Sequence, residues 1–140
     1  MPKTIQQTVT LPAPAEELYR MYLDPRQHAA FTGAPVRISA RPGSPFRAFG
    51  GALSGTMLFT EPGRMIVQTW RSTNFGADDL DSTLILTFWP AGKSGRIRLV
   101  HANVADRDVR SVTEGWKTYY WTPWRAYLTG KKKKARRGSS

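Results

Sequence analysis

Five large aromatic side chains fall within the ten residues from Gly115 to Trp124 (GWKTYYWTPW), and no other feature constrains the fold as much. Apolar residues at Val109, Val112, Trp116, Tyr120, Trp124 and Tyr127 recur every three or four positions, the spacing that gathers side chains on one face of a helix. So broad an aromatic face needs an apolar surface opposite it, and a β-sheet supplies one most simply.

The spacing predicts a helix from about Asp106, a residue type suited to the N-cap, to Leu128. At about 1.5 Å per residue it reaches roughly 35 Å, enough to cross a whole small sheet. Gly115 and Pro123 lie inside it. Glycine costs about 1 kcal/mol relative to alanine in a helix interior, and proline removes a backbone hydrogen bond and bends the axis. The expectation is a long helix that curves over its sheet.

Upstream, Thr4 to Thr10 alternates as a strand does and ends at Leu11-Pro12-Ala13-Pro14. Pro14 suits the first position of a helix running to Leu23, with Glu16 and Glu17 at its positive end. Leu18, Met21 and Tyr22 give that helix its apolar stripe. Asp24-Pro25 then breaks it before a second helical piece through Arg26 to Phe31, closed by Thr32-Gly33.

From Val36 to Asn103, glycine and proline punctuate short β-branched and aromatic runs, the pattern of an antiparallel meander. The predicted strands are Val36 to Ala40, Pro45 to Phe49, Thr56 to Glu61, Met65 to Arg71, Ser82 to Trp89 and Arg96 to Asn103. Alternation puts Leu84, Leu86 and Phe88 on one face, as it does Ile97, Leu99 and His101, and turns Thr87, Arg96 and Arg98 toward water. The fold class that follows is α+β: a curved antiparallel sheet gripping one long C-terminal helix, with two short helices after the first strand. Such an arrangement leaves room for a cavity between helix and sheet.

Length and composition fit one domain over residues 1–129, followed by a basic tail over 130–140 that is expected to be disordered. The chain has no cysteine, which excludes disulfides and thiolate metal sites. Met1 to Thr10 lacks the apolar run of a signal peptide, and no stretch approaches the roughly 18 apolar residues of a membrane span, so a cytoplasmic protein is expected. The net charge is +11, but six of the 21 basic residues lie in Lys131 to Arg137 while all ten acids precede Gly130, leaving the body at +5. The tail therefore suggests solubility or nonspecific polyanion contact rather than a nucleic-acid-binding body.

Several separated motifs resemble a known family. They are Asp24-Pro25 through Phe31-Thr32-Gly33, Phe46 with Gly50-Gly51 and Gly55, and Glu61-Pro62 with Arg64 through Arg71. Further on come Asp81-Ser82-Thr83-Leu84, Leu99-Val100-His101, and Gly115-Trp116 with Tyr119-Tyr120-Trp121 and Pro123. In order and spacing the chain from Ile5 to Leu128 resembles the activators of heat-shock protein 90 ATPase homologues, within the START-like, helix-grip superfamily abbreviated SRPBCC. The resemblance implies a helix-grip fold with a ligand-sized cavity, and a chaperone as one candidate partner. In the family's eukaryotic co-chaperones ATPase stimulation depends on a preceding domain with a motif rich in asparagine and tryptophan. The only asparagines here are Asn74 and Asn103, neither beside a tryptophan, so the resemblance does not carry chaperone activation over to this chain, even if a docking surface survives.

Face assignment nominates Phe46, Trp70, Phe88, His101, Trp116 and Tyr120 as cavity residues that would bind a small apolar or amphipathic molecule. Each also suits ordinary core packing, and His101 suits a buried, hydrogen-bonded histidine. A cavity enzyme of cyclase or hydrolase type would use His101 as general base, but His28 and His101 are the only histidines and no serine stands in a nucleophile elbow. Two further motifs are set aside. Ala91-Gly92-Lys93-Ser94-Gly95 precedes a strand, so it reads as a hairpin turn and not a phosphate loop. Asp78-Asp79-Leu80-Asp81 lacks the glycine and distal glutamate of a calcium loop. No metal and no cofactor is assigned.

Overall fold

The computed structural model describes residues 2–138, with side chains described through Lys131. Seven antiparallel strands form one sheet: β1 (Lys3–Leu11), β2 (Val36–Arg37), β3 (Pro45–Ala48), β4 (Leu53–Glu61), β5 (Met65–Ser72), β6 (Ser82–Ala91) and β7 (Ser94–Val104). Their spatial order is β1-β7-β6-β5-β4-β3-β2, so β2 to β7 form a meander and β1 closes the far edge beside β7. The period-two pattern sorts the faces as the sequence does. Leu84, Leu86 and Phe88 are buried with Ile97, Leu99 and His101, while Arg96 and Arg98 are exposed.

Two short helices follow β1. Helix α1 (Ala15–Leu23) starts one residue later than expected, with Pro14 preceding it as the cap, and it buries Leu18, Tyr19, Met21 and Tyr22. Helix α2 (Pro25–Thr32) is capped by the Asp24 side chain, which accepts from the Arg26 amide, and it ends at Gly33 with φ 80°. That left-handed conformation suits glycine.

The strands differ from expectation mainly at the β2–β4 corner. β2 is only two residues long, and β3 stops at Ala48 because Phe49, Gly50 and Gly51 all take positive φ (53°, 66° and 92°). β4 begins earlier than Thr56, and Gly55 permits it: a Cβ there would lie 2.0 Å from the Thr69 carbonyl oxygen. The Ala91–Ser94 connection is the expected hairpin turn, with Gly92 at φ 63°.

The C-terminal element is not one evenly bent helix. A 3₁₀ turn (Asp106–Asp108) leads into α3 (Val109–Trp116), a π-helical turn (Lys117–Trp121) and α4 (Thr122–Gly138). Asp106 is the first residue of the 3₁₀ turn and caps nothing, which corrects the expected N-cap. The distortion sits one turn ahead of Pro123, where the Thr122 amide bonds the Lys117 carbonyl five residues back. Proline cannot donate to the preceding turn, and the widened turn absorbs that loss locally. The extra residue brings both Tyr120 and Trp121 inward, beside Trp116, Trp124 and Leu128. Helical backbone continues past Leu128 to Gly138, whereas the side chains of the basic tail after Lys131 lie outside the described residues. No helix among the described residues is long and apolar enough to cross a membrane.

Candidate ligand cavity

The π turn and the left-handed β3–β4 turn face each other across a gap. There, at the β4–β5 end of the sheet, a cavity of about 530 Å³ lies between the strands and α3. Trp70 from β5 and Trp116 from α3 form two walls, with ring centroids 6.2 Å apart. Tyr120 continues the wall from Trp116 at 4.7 Å, and at the mouth Phe49 meets Tyr119 edge-on at 5.7 Å. Hydroxyls of Ser72, Ser111 and Thr118, with Asn74 and Glu114, supply the polar lining. Phe49 is one of two non-glycine residues with positive φ among the described residues, a strained conformation that is held where function or packing overdetermines it.

Behind the cavity, His101 is fully buried in a directed chain of hydrogen bonds. The Trp116 indole Nε1 donates to His101 Nδ1 at 3.0 Å, and an indole can only donate, so Nδ1 carries no proton. The proton therefore sits on Nε2 and is donated to Ser82 Oγ at 2.7 Å; Ser82 in turn donates to the Trp70 carbonyl at 2.6 Å. Burial disfavours the cation and lowers the pKa of His101 to about 3.

His28 takes the opposite tautomer. Its Nδ1 donates to the Tyr22 carbonyl at 2.7 Å, leaving Nε2 to accept from the Tyr120 hydroxyl at 2.9 Å. Burial lowers its pKa to about 4, partly opposed by the bond to the Tyr22 carbonyl. Burial likewise raises the pKa of Tyr120, and raises that of Tyr22, whose hydroxyl donates to Gln68 Oε1 at 2.7 Å. Two helical side chains four residues apart, Trp116 and Tyr120, are thus tied through neutral histidines to β7 and α2.

Of the six nominated residues, Trp70, Trp116 and Tyr120 line the cavity. Phe46, Phe88 and His101 do not. Phe46 lies in the core near His28, with ring centroids 6.4 Å apart, and Phe88 packs edge-on against Tyr19 of α1 at 5.6 Å. His101 is the satisfied core histidine of the alternative reading, and its Nδ1 lone pair is taken up by Trp116. The aspartates around Asp79 are engaged otherwise: Asp79 accepts from the Gly76 amide and pairs with Arg107, and Asp81 pairs with Arg71. Among the described residues no group of three His, Cys, Asp or Glu is placed to hold a metal ion.

Comparison with known proteins places this architecture. The sequence model of the family described as activator of Hsp90 ATPase homolog 1-like protein matches residues 12–129. The chain belongs to that family. An uncharacterized protein of Schizosaccharomyces pombe is 32% identical over 119 residues, which is 85% of this chain and 35% of that protein. The human protein named activator of 90 kDa heat shock protein ATPase homolog 1 is 28% identical over 106 residues, 76% of this chain and 31% of its own length. The chain thus spans about a third of the curated relatives it matches. An HSP90 activator from Plasmodium falciparum has the same fold, with a TM-score of 0.80 at 18% identity over 90% of this chain and 96% of that one. A Mesorhizobium loti protein gives 0.77 at 19% identity, over 91% of this chain and 97% of its own.

Within this Hsp90-activator-like domain, the sequence reading missed Phe49, Tyr119 and His28. Phe49 falls at the end of a predicted strand, although the adjacent Gly50-Gly51 already marks a turn that can take positive φ. Tyr119, three residues after Trp116, lies at the rim of the stripe and is more than half exposed, so the periodicity alone does not single it out. His28 had no periodic signal, because its partners Tyr22 and Tyr120 are 6 and 92 residues away.

Proposed function

We propose that this domain binds a small apolar or amphipathic molecule in the cavity between the sheet and the C-terminal helix. The observation that carries the reading is the cavity itself. At about 530 Å³ it falls within the roughly 300–1,000 Å³ typical of ligand sites, and its aromatic walls are combined with a few polar groups. A nonpolar ligand gains from these walls through area removed from water, and the hydroxyls and Asn74 orient its polar end.

The test is an amide NMR titration of the protein against fatty acids, flavonoids and sterols. Saturable shifts at Trp70, Trp116 and Tyr119 are the expected result, abolished by filling the space with Ala52→Phe. Silence across the panel from a folded sample refutes the reading, as does unchanged affinity in folded Ala52→Phe and Trp70→Ala variants.

A second reading, a protein-docking domain that meets a heat-shock protein 90, is supported by the named relatives. It predicts measurable association with such a chaperone, and no association at high micromolar concentration removes it. A cavity enzyme with His101 as base is the least supported, since protonating Nδ1 requires breaking the bond from Trp116.

A further inference from the structure

The two edges of the sheet are built differently. β2, at one edge, is two residues long and carries Arg37, the short charged edge that natural sheets use against unwanted pairing. β1, at the other, is nine residues long, its single charge is Lys3 at the start, and it contains no proline. Among the described residues its only strand neighbour is β7, and no backbone group from Lys3 to Thr10 hydrogen-bonds anything beyond that pairing. In an antiparallel strand about half of the N–H and C=O groups point to each side, so roughly four of each face outward from β1.

Beside this edge runs a second groove of about 530 Å³, between β1 and the C-terminal helix. Gln7 sets its floor. Its amide nitrogen donates to the Thr113 carbonyl at 3.0 Å, and the Trp121 indole donates to its oxygen at 2.7 Å, so strand and helix are braced apart. Lys117 and Arg125 line the helical side, both exposed and without an ion pair among the described residues, while the groove's one acid, Glu114, lies 4.0 Å from Arg110.

We propose that β1 receives an extended acidic segment of a partner protein as an added strand. Backbone hydrogen bonds to the free edge supply affinity. Alternate side chains of the segment face the groove, where carboxylates meet Lys117 and Arg125, and the residues between them turn to the opposite face of the sheet. A second copy of this chain fits less well, because pairing two molecules of net charge +11 opposes like charges.

The experiment titrates the full chain with a peptide of about ten residues alternating aspartate and valine, and reads amide shifts and hydrogen exchange. The expected result is saturable binding with slowed exchange at alternate β1 amides, and about tenfold weaker affinity, some 1.4 kcal/mol, in the surface variant Lys117→Glu/Arg125→Glu. Equal binding of a block peptide of the same composition, or of single-stranded DNA, without β1 protection would overturn the proposal in favour of plain charge attraction. Protection of β1 that grows with protein concentration alone would overturn it in favour of self-pairing. The readout is separate from the cavity, so silence at Trp70 leaves this inference standing.

Discussion

Lowering the pH from 7 to 5 should destabilise this domain through its two histidines. An imidazole in the unfolded chain takes up a proton near pH 6.5, whereas in the folded chain His28 resists until about pH 4 and His101 until about pH 3. Both folded values are depressed, so acid favours the unfolded state, and stability falls as pH drops below 6.5. The loss continues to about pH 4 for one residue and about pH 3 for the other. Each group changes stability by up to about 1.4 kcal/mol per pH unit, so the pair removes about 4 kcal/mol between pH 7 and pH 5. That is a large part of the roughly 5–15 kcal/mol that holds a domain together. Urea unfolding followed by tryptophan emission at pH 7, 6 and 5 measures the slope, and a loss below about 1 kcal/mol refutes the linkage. His28→Gln should halve the slope. Should that variant not fold, NMR titration of the wild-type imidazole Cε1–H signals decides instead, and a midpoint near pH 6.5 at either residue overturns the argument.

Three further outcomes follow from local features of the chain. Trp116→Phe keeps a ring in the wall but leaves His101 Nδ1 buried without a donor, so it should cost about 2 kcal/mol in chemical denaturation; no measurable loss would show that the indole bond contributes nothing. Gly115→Ala should stabilise by about 0.5–1 kcal/mol, because the position is helical and an added Cβ meets only Tyr119 Cδ2 at 3.8 Å; a lower melting temperature contradicts this. Deleting residues 131–140 removes six of the 21 basic residues and should abolish most salt-dependent DNA affinity. With all six on phosphates, the full chain's log–log salt slope reaches about −5, and retained affinity in the shortened chain would move the determinant to the body.

Much of the fold was legible because its signals are local. The alternation that put Leu84, Leu86 and Phe88 inward reads straight from the pleat, and Asp24-Pro25 and Gly33 bracket α2 by capping chemistry alone. The cavity was only half legible. Parity identifies the inward face of a strand but not the position along the helix that covers it. Phe46 and Phe88 therefore qualified as well as Trp70, although Phe46 packs near His28 and Phe88 against Tyr19 of α1. Nor does a 3.6-residue stripe foresee a π turn, which shifts the phase by one residue and buries Trp121 beside Tyr120.

Two buried polar ties explain why a cavity exists at all beside so many rings. A helix free to settle on its sheet would close the gap at Gly115, where no side chain holds the two apart. Two polar ties prevent this: Trp116 is held 3.0 Å from His101 and Tyr120 2.9 Å from His28, and each histidine is itself anchored to a backbone carbonyl, directly or through Ser82. These bonds are buried, so shifting the helix would leave several desolvated donors and acceptors at about 1–3 kcal/mol each. An apolar contact tolerates sliding far better than a hydrogen bond does. The aromatic run thus does two jobs: its ring faces fill the core, while the polar tips of Trp116 and Tyr120 fix the helix height from which Phe49, Trp70 and Tyr119 enclose open space.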